Sequence, residues 1–289
     1  MKGKAVVVVV AAVAALTACS RGSESSRVFI QNKGSDTLVN LAQSWAQAYR
    51  KVRPDVAIAV SGGGSGTGIA ALINGTVDIA NASRDITPEE REKIRKAHGV
   101  DPVEHIVAYD AVAFFVHPNN PLREITIEQL ACIYGEGGPC EKWSDLGVEV
   151  PGCAGQQIIR VSRQSNSGTY FFVREHVLGK DRDYKLGSRD MQGNKDVVDL
   201  VSKTPCAIGY SGMGYLTDAV RALCVAPKKG APCARPTPEN AISGKYPLAR
   251  PLYMYTLGEP KGAIAEYIEW IRSPAGQKIV AERGFVPIR

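Results

Sequence analysis

A Ser- and Gly-rich loop at residues 61–68 joins two segments of different periodicity. Apolar residues alternate with other residues before the loop, in Val56–Val60, and recur at helical spacing after it, in Ile69–Ile73. Alternation predicts a β-strand and the longer period predicts a helix, so the loop is a strand-to-helix turn. The first N–H groups of a helix lack partners within it, and glycines let the backbone approach a ligand closely. Such a turn can hold an oxyanion, although a turn with a Ser or Thr cap has the same composition.

A second strand-loop-helix unit repeats this arrangement later in the chain. Its strand is Ile158–Val161, its loop is Arg163–Thr169, and its helix-like segment extends over Tyr170–Val177. Both loops contain the tripeptide Ser-Gly-Thr. We therefore expect two helix N-termini to hold one anion from two sides.

Strand and helix patterns also alternate elsewhere. Gly34–Thr37 lies between an apolar strand at Val28–Ile30 and a helical pattern, and Ser35 or Thr37 is expected to cap that helix. Thr87–Glu90 combines a capping residue, a Pro at the first helical position and two acids in the first turn. This alternation predicts an α/β fold with a largely parallel sheet.

Two apolar segments are placed to cross between two halves of the molecule. Ile106–Val116 is the longest apolar run after the N-terminal one and contains a single charge, Asp110. Leu252–Tyr255 is the second candidate. About 265 mature residues fit two lobes better than one core. We expect a discontinuous lobe I (residues 27–108 and 250–289) and a lobe II (residues 109–249), with a ligand in the cleft between them.

The N-terminus predicts export and a lipid anchor. Two lysines precede an uncharged apolar run, Ala5–Ala15, which is shorter than the ~20 residues of a membrane-spanning helix. The run leads into Leu16–Cys19, which resembles a bacterial lipobox and implies cleavage before Cys19 and lipidation of that residue. We expect residues 1–18 to be a signal peptide, residues 19–26 a tether, and the protein to be anchored to a bacterial membrane, periplasmic or at the cell surface. An uncleaved membrane anchor is the alternative.

The chain has seven cysteines, and an even number remains for disulfides if Cys19 carries lipid. Six thiols allow fifteen pairings, among which short separations favour Cys140–Cys153 and Cys224–Cys233. The other two cysteines are Cys132 and Cys206.

Composition disfavours several other classes of protein. There is no C-x-x-C pair and the four histidines are scattered, so we expect neither a metal site nor another cofactor. The formal charge of +6 is spread along the chain without a Lys/Arg run. Nucleic acid is therefore not an expected partner.

Short motifs along the chain resemble those of one protein family. After the lipobox they are, in order, G-S-D-T (34–37), S-G-G-G-S-G-T-G (61–68), D-I-A-N-A-S-R (78–84), A-Y-D-A-V-A (108–113), S-N-S-G-T (165–169), A-I-G-Y (207–210), G-K-Y-P-L-A-R-P-L-Y (244–253) and S-P-A-G-Q-K-I-V (273–280). The chain is similar in these motifs to phosphate-binding proteins of the PstS type, the extracytoplasmic receptors of phosphate ABC transporters. The resemblance implies a periplasmic-binding-protein type II fold, in which two α/β lobes joined by two crossing strands close on phosphate. It also implies a monomeric receptor that delivers phosphate to permease subunits and is not an enzyme.

The same resemblance implies a set of phosphate ligands. The matching hydroxyl, backbone and guanidinium groups belong to Ser35, Ser65, Gly66, Thr67, Arg163, Ser167, Gly168 and Thr169. In the best-known members an acid stands at the position of Arg84, but this chain resembles a shorter-loop subgroup with its acid at Asp110. We therefore assign the carboxylate to Asp110, with Asp85 as the alternative, and expect Arg84 to be a second cationic ligand. Hydrogen phosphate can donate a hydrogen bond to a carboxylate, whereas fully deprotonated sulfate cannot.

Other functions fit the sequence less well. Gly66–Ala71 matches the degenerate dinucleotide fingerprint G-x-G-x-x-A, and Asp85 follows at about the usual distance. The export signal and the second Ser-Gly-Thr turn oppose that interpretation, and the loop lacks the lysine of a Walker motif. Ser65 is not in a G-x-S-x-G elbow, which disfavours a hydrolase. A receptor for another oxyanion, or a surface signalling or adhesion lipoprotein with a residual anion site, stays open.

Overall fold

The computed structural model describes residues 27–288, so the predicted signal peptide, the tether and Cys19 lie outside the described residues. The strands are β1 (Val28–Gly34), β2 (Val56–Ser61), β3 (Ile79–Ala82), β4 (Pro102–Val116), β5 (Glu124–Thr126), β6 (Ile159–Arg163), β7 (Arg189–Met191), β8 (Ala207–Gly212), β9 (Arg221–Ala222), β10 (Cys224–Ala226) and β11 (Ala249–Leu257). The helices are α1 (Val39–Val52), α2 (Ser65–Ile73), α3 (Pro88–His98), α4 (Ile127–Tyr134), α5 (Gly168–Val173), α6 (Asn194–Ser202), α7 (Pro238–Ile242), α8 (Gly262–Arg272) and α9 (Pro274–Glu282). A π-helical turn, Arg174–Leu178, continues α5.

One sheet runs through both halves of the molecule, in the order β2-β1-β3-β11-β4-β8-β6-β7, with β9 beside β4. Its two ends are parallel: β1 pairs with β2 and β3, and β6 pairs with β7 and β8. At the centre, β11 and β4 are antiparallel to each other and to their outer neighbours. The prediction of a largely parallel sheet is therefore correct for the ends and wrong for the centre, because the two crossing strands run in opposite directions.

The predicted crossing segments lie in β4 and β11. The first part of β4 pairs with β11, and its last five residues, from Val112, pair with β8. The register of β4 and β11 sets Asp110 opposite Arg250. A single long strand thus contributes to both halves of the sheet, as its apolar run Ile106–Val116, interrupted by one charge, indicates.

Buried apolar residues form separate cores on the two sides of this central pair. One side draws its buried core from residues 30–108 and 252–285, and includes Trp45 and Tyr267. The other side draws its core from residues 111–248 together with Val286, and includes Trp143 and Tyr134. We call these sides lobe I and lobe II. The exact lobe boundaries stay a prediction.

The N-termini of α3 and α1 are capped differently, and the difference concerns two hydroxyl groups near the candidate site. Thr87 caps α3 in a capping box with Glu90, as predicted. In contrast, α1 begins after Leu38 without a side-chain cap, so the prediction that Ser35 or Thr37 caps it is wrong. The reason is that the hydroxyl groups of Ser35 and Thr37 contact other hydroxyl groups, described below.

Three disulfides lie among the described residues, Cys132–Cys140, Cys153–Cys206 and Cys224–Cys233. The third confirms one predicted pair, and the predicted Cys140–Cys153 pair is wrong. A turn after α4 brings the chain back on itself, so that the Cα atoms of Cys132 and Cys140 are 5.3 Å apart. Cys153 is then free to bond Cys206, the residue before β8. No helix in residues 27–288 has the length and apolar character needed to cross a membrane.

Candidate functional site

Hydroxyl groups from the two lobes meet between the loops that follow β1 and β6. The hydroxyl oxygens of Thr37, in lobe I, and Thr169, in lobe II, are 3.0 Å apart. Arg250 reaches both from the central strand β11, and its Nη2 donates to Thr169 at 3.0 Å and to Thr37 at 3.4 Å. All three side chains are buried. The cleft therefore contains a desolvated cluster of hydrogen-bonding groups that spans both lobes. Together with the serines described next, we call it the hydroxyl cluster.

Three buried serines of lobe I form a second group beside the first. The Ser35 hydroxyl donates to Ser83 Oγ at 3.0 Å, and the Ser83 N–H donates to Ser65 Oγ at 3.0 Å. Lobe II approaches this group through Gly168 at the start of α5. A Cβ on Gly168 would lie 2.3 Å from Ser65 Oγ and 2.6 Å from Ser83 Oγ. Only a glycine allows this approach, so the Gly of the second Ser-Gly-Thr turn is required by the contact between the lobes.

Asp110 and Arg250 form a buried ion pair at the base of the cleft. Arg250 donates to Asp110 Oδ2 from Nη2 at 2.8 Å and from Nε at 3.2 Å, and the Met213 N–H donates to Oδ1 at 3.0 Å. Burial raises the pKa of Asp110 above its ordinary value, while the Arg250 guanidinium and the Met213 N–H oppose the rise. The structure therefore gives Asp110 a cationic partner, and most of its acceptor capacity is already used.

Arg163 is completely buried at the end of β6, and its donors are largely occupied. It donates to the Gln192 carbonyl, to Asn194 Oδ1 at 2.9 Å and to Asp36 Oδ2 at 3.3 Å. The last contact joins lobe II to lobe I. Burial lowers the pKa of Arg163, and Asp36 opposes the shift. A guanidinium has five N–H donors, and one N–H of Arg163 Nη1 has no acceptor in residues 27–288.

Arg84 lies at the edge of the cleft, where its guanidinium is paired with Glu90 through contacts of 2.7 and 2.8 Å. Its Cζ also lies 4.9 Å from the ring centre of Phe171 in the opposite lobe. Burial raises the pKa of Glu90, but hydrogen bonds from Arg84 and Thr87 hold it below its ordinary value. No hydrogen bond joins Arg84 to the hydroxyl cluster in the described part of the chain. The expected second cation at the ligand is thus placed in a contact between the lobes.

The two Ser-Gly-Thr turns are used differently. In the second turn, Ser167 caps α5, and its Oγ accepts the N–H groups of Thr169 and Tyr170. In the first turn, Ser65 points into the serine group, whereas the Gly66 N–H donates to the carbonyl of Asn166. The Thr67 hydroxyl donates to a carbonyl of its own loop.

Sequence reasoning missed several residues of this site. The sequence indicates Thr37 only as a helix cap and does not indicate Ser83, Asn194 or Arg250 as site residues. The nearest sequence signal for Arg250 is its place in the motif of residues 244–253, two residues before the predicted crossing segment Leu252–Tyr255. In contrast, Asn194 lies at the start of α6 and reaches Thr37 Oγ1 at 3.5 Å through a fold contact that no motif signals. In residues 27–288, no cluster of three or more His, Cys, Asp or Glu side chains could hold a metal ion.

Comparison with known proteins gives consistent similarities. A family model described as a PBP superfamily domain matches residues 15–275. The chain is 34% identical over 269 residues to the phosphate-binding protein PstS of Pseudomonas aeruginosa, covering 90% of this chain and 83% of that protein. It is 30% identical to PstS of Bacillus subtilis, covering 93% of this chain and 84% of that protein. A crystal structure from Clostridium perfringens, described as a phosphate ABC transporter substrate-binding protein with bound phosphate, has a TM-score of 0.79 at 30% identity and covers 90% of this chain and all of that one.

Proposed function

Since this chain belongs to the PBP superfamily and, within it, to the PstS family of phosphate-binding proteins, we propose that it binds inorganic phosphate outside the cytoplasm and delivers it to the permease of an ABC transporter. Like its relatives, it is a solute-binding protein and not an enzyme.

The observation that carries this proposal is the buried hydroxyl cluster between the lobes. Thr37 and Thr169 come from different lobes and share the Arg250 guanidinium, and the serine group lies against the start of α5. A dehydrated anion needs many fixed donors in place of its water, and hydroxyl groups, N–H groups and guanidinium groups supply them. Two lobes that both contribute donors also explain how closure would hold the ligand.

The proposed ligand set keeps most of the expected residues and changes the role of others. We propose that the ligand binds Ser35, Ser65, Gly168 and Thr169, with Ser167 fixing the turn as a helix cap. Thr37, Ser83 and Arg250 join this set because they are part of the same buried cluster. Arg163 and Arg250 each have one Nη1 N–H without an acceptor among the described residues. Those two N–H groups are the proposed charged donors to phosphate.

We propose that the Asp110 carboxylate accepts a hydrogen bond from the protonated oxygen of the ligand. This carboxylate is buried beside Arg250, adjacent to the hydroxyl cluster, whereas Asp85 lines a small pocket of about 120 Å³ at the cleft edge. We also propose that the mature protein is monomeric and is held to a bacterial membrane through lipid on Cys19. The family relationship supports an extracytoplasmic location, and the lipobox resemblance supports the anchor.

Calorimetric titration of the full chain with phosphate, arsenate, sulfate and molybdate tests the proposal. Phosphate should bind, arsenate should compete because it carries a proton in the same way, and sulfate should not bind measurably. Small-angle scattering should show compaction when phosphate is added. If phosphate gives neither heat nor compaction, the receptor function is wrong.

A comparison of two variants tests the carboxylate. Asp110→Asn should lower the ratio of phosphate affinity to sulfate affinity, because an amide can donate to sulfate where a carboxylate repels it. Asp85→Asn is the matched control and should leave the ratio unchanged. If the ratio falls only in Asp85→Asn, Asp85 is the carboxylate that accepts the hydrogen bond from the protonated ligand. If it changes in neither variant, hydroxyl placement sets the selectivity.

A further inference from the structure

Asn166, in the loop before α5, connects lobe II to the loop before α2 in lobe I. Its backbone carbonyl accepts the Gly66 N–H at 3.0 Å, and its Nδ2 donates to the Gly63 carbonyl at 2.9 Å. A longer contact of 3.4 Å joins Nδ2 to Thr67 Oγ1. Among the described residues, the Asn166 side chain forms no hydrogen bond with the hydroxyl cluster. It therefore joins the two lobes at a place beside the proposed ligand site.

We propose, on the basis of the phosphate-receptor function above, that Asn166 is a positioning residue that holds the lobes closed over the ligand. In this proposal Gly66 and Thr67 act in the contact between the lobes and do not bind the ligand.

The Gly66 N–H and the Thr67 hydroxyl proton are already used. The Gly66 N–H belongs to the first turn of α2, whose N–H groups have no partner within the helix. The Asn166 carbonyl oxygen accepts the hydrogen bond of the Gly66 N–H, as an oxygen of a bound anion would. The helix dipole favours an acceptor at this position. The single proton of the Thr67 hydroxyl is donated to the Gly63 carbonyl at 2.6 Å. The Gly66 N–H and the Thr67 hydroxyl proton are therefore not free for a ligand when the lobes are in contact.

Gly64 shows how closely the two loops approach. A Cβ on Gly64 would lie 2.5 Å from the Asn166 carbonyl oxygen, which belongs to the other lobe. A Cβ on Gly63 would instead have its nearest contact at 3.5 Å, with the Thr67 side chain of its own loop. Both glycines have a positive φ, +91° at Gly64 and +111° at Gly63. Alanine strains the backbone at either position, but only at Gly64 does it also separate the lobes.

The contact can open and close because Asn166 is exposed, so water can replace its partners when the lobes separate. A hydrogen bond that exchanges with water contributes modestly, and the contact biases the lobes toward closure without locking them. A ligand held between two lobes leaves after they open, so loss of the contact should raise the dissociation rate. Because Asn166 does not touch the ligand, affinity for every bound anion should fall by the same factor.

Two variants and two matched controls of the full chain test the proposal. Asn166→Ala should weaken phosphate binding about three- to tenfold, mainly through the dissociation rate measured by stopped flow. Gly64→Ala should weaken it at least as much, and Gly63→Ala should weaken it less than Gly64→Ala. Ser165→Ala, a change of the exposed neighbour of Asn166, should match the parent. The ratio of phosphate affinity to arsenate affinity should be the same in all of them.

Hydrogen exchange of the Gly66 amide gives a readout that does not depend on a ligand. The amide should be protected in the parent and in Gly63→Ala, and should exchange faster in Gly64→Ala. If the parent protein binds no phosphate, the proposed receptor function is wrong. The exchange pattern still tests whether Asn166 holds the two lobes in contact. Equal exchange rates of the Gly66 amide in Gly64→Ala and Gly63→Ala would overturn the proposal. Equal phosphate affinities of these two variants would also overturn it. A phosphate-to-arsenate ratio that changes in Asn166→Ala would also overturn it, because Asn166 would then contact the ligand.

Discussion

Replacing Arg250 by methionine tests the ion pair at the base of the cleft. The Arg250 and Asp110 side chains are 1% and 0% exposed, and Arg250 supplies two hydrogen bonds to the carboxylate. Methionine keeps an extended side chain beside Phe172 but removes the cation. Asp110 would then be a buried carboxylate without a counter-charge, stabilised by backbone N–H groups, chiefly that of Met213.

The expected cost follows from leaving this charge without its counter-charge. Removing one partner of a buried ion pair costs about 3–5 kcal/mol, so the free energy of unfolding should fall by that amount at pH 7. The cost should shrink in acid. Burial already raises the pKa of Asp110, and loss of Arg250 raises it further. The folded variant then binds a proton at a higher pH than the unfolded chain does, so its stability rises as the pH falls through that raised pKa.

Urea unfolding of the ligand-free, oxidised protein at pH 7 and pH 5 measures both effects. The double variant Arg250→Met/Asp110→Asn should recover at least half of the loss, because it removes the charge that the single variant leaves buried. Arg84→Met is the matched control, since its partner Glu90 is more exposed and can be solvated. The reasoning is refuted if Arg250→Met costs less than about 1 kcal/mol, or if adding Asp110→Asn recovers nothing.

Three further predictions concern the disulfides, one histidine and the hydroxyl cluster. The Cys153–Cys206 disulfide joins residues 53 positions apart, and its replacement by two alanines should lower the free energy of unfolding in urea by about 4 kcal/mol. The Cys132–Cys140 disulfide joins residues 8 positions apart, and its replacement should cost about 2.5 kcal/mol. Equal costs would contradict the loop-length argument. Burial lowers the pKa of His105, so the folded protein should lose stability as the pH falls below the ordinary histidine value. His105→Gln should flatten that slope in a pH series of thermal melts, and an unchanged slope would mean that other groups cause it. Thr169→Val removes the hydroxyl shared with Thr37 and Arg250 and should weaken phosphate binding by about 2–5 kcal/mol in calorimetry; parental affinity would make this hydroxyl structural.

Much of the fold could be predicted because its signals are local in sequence. The capping box of α3 needs only Thr87, Pro88 and Glu90, which are neighbours in the chain. The crossing strand β4 is indicated by an apolar run with one interruption, and a buried strand has that pattern. The antiparallel centre of the sheet was not predicted, since strand direction depends on how distant segments are connected and not on the residues of either strand.

The chemistry of the candidate site was harder to predict, because the same residue types serve two purposes. Ser65 and Thr67 are two residues apart, yet Ser65 faces the buried serines and Thr67 bonds to its own loop. A motif does not state which hydroxyl is buried. Arg250 was missed for a related reason, since its importance depends on a register that sets it opposite a residue 140 positions earlier. The wrong Cys140–Cys153 pair likewise came from judging proximity by sequence separation alone.

The charge balance of the cleft favours recognition by dipoles over recognition by net charge. Each arginine of the cleft has a carboxylate partner, in the pairs Arg250–Asp110, Arg163–Asp36 and Arg84–Glu90. Two arginines and two helix ends would together carry more positive charge than a dianion needs, but these pairs cancel the formal charge of the guanidinium groups. The proposed phosphate must then be stabilised by hydroxyl groups, by spare N–H groups and by helix ends. Such donors act over short distances and in fixed directions, so the shape and protonation state of the ligand should control selectivity. Because buried donors are screened less than exposed charges, phosphate affinity should depend only weakly on salt concentration.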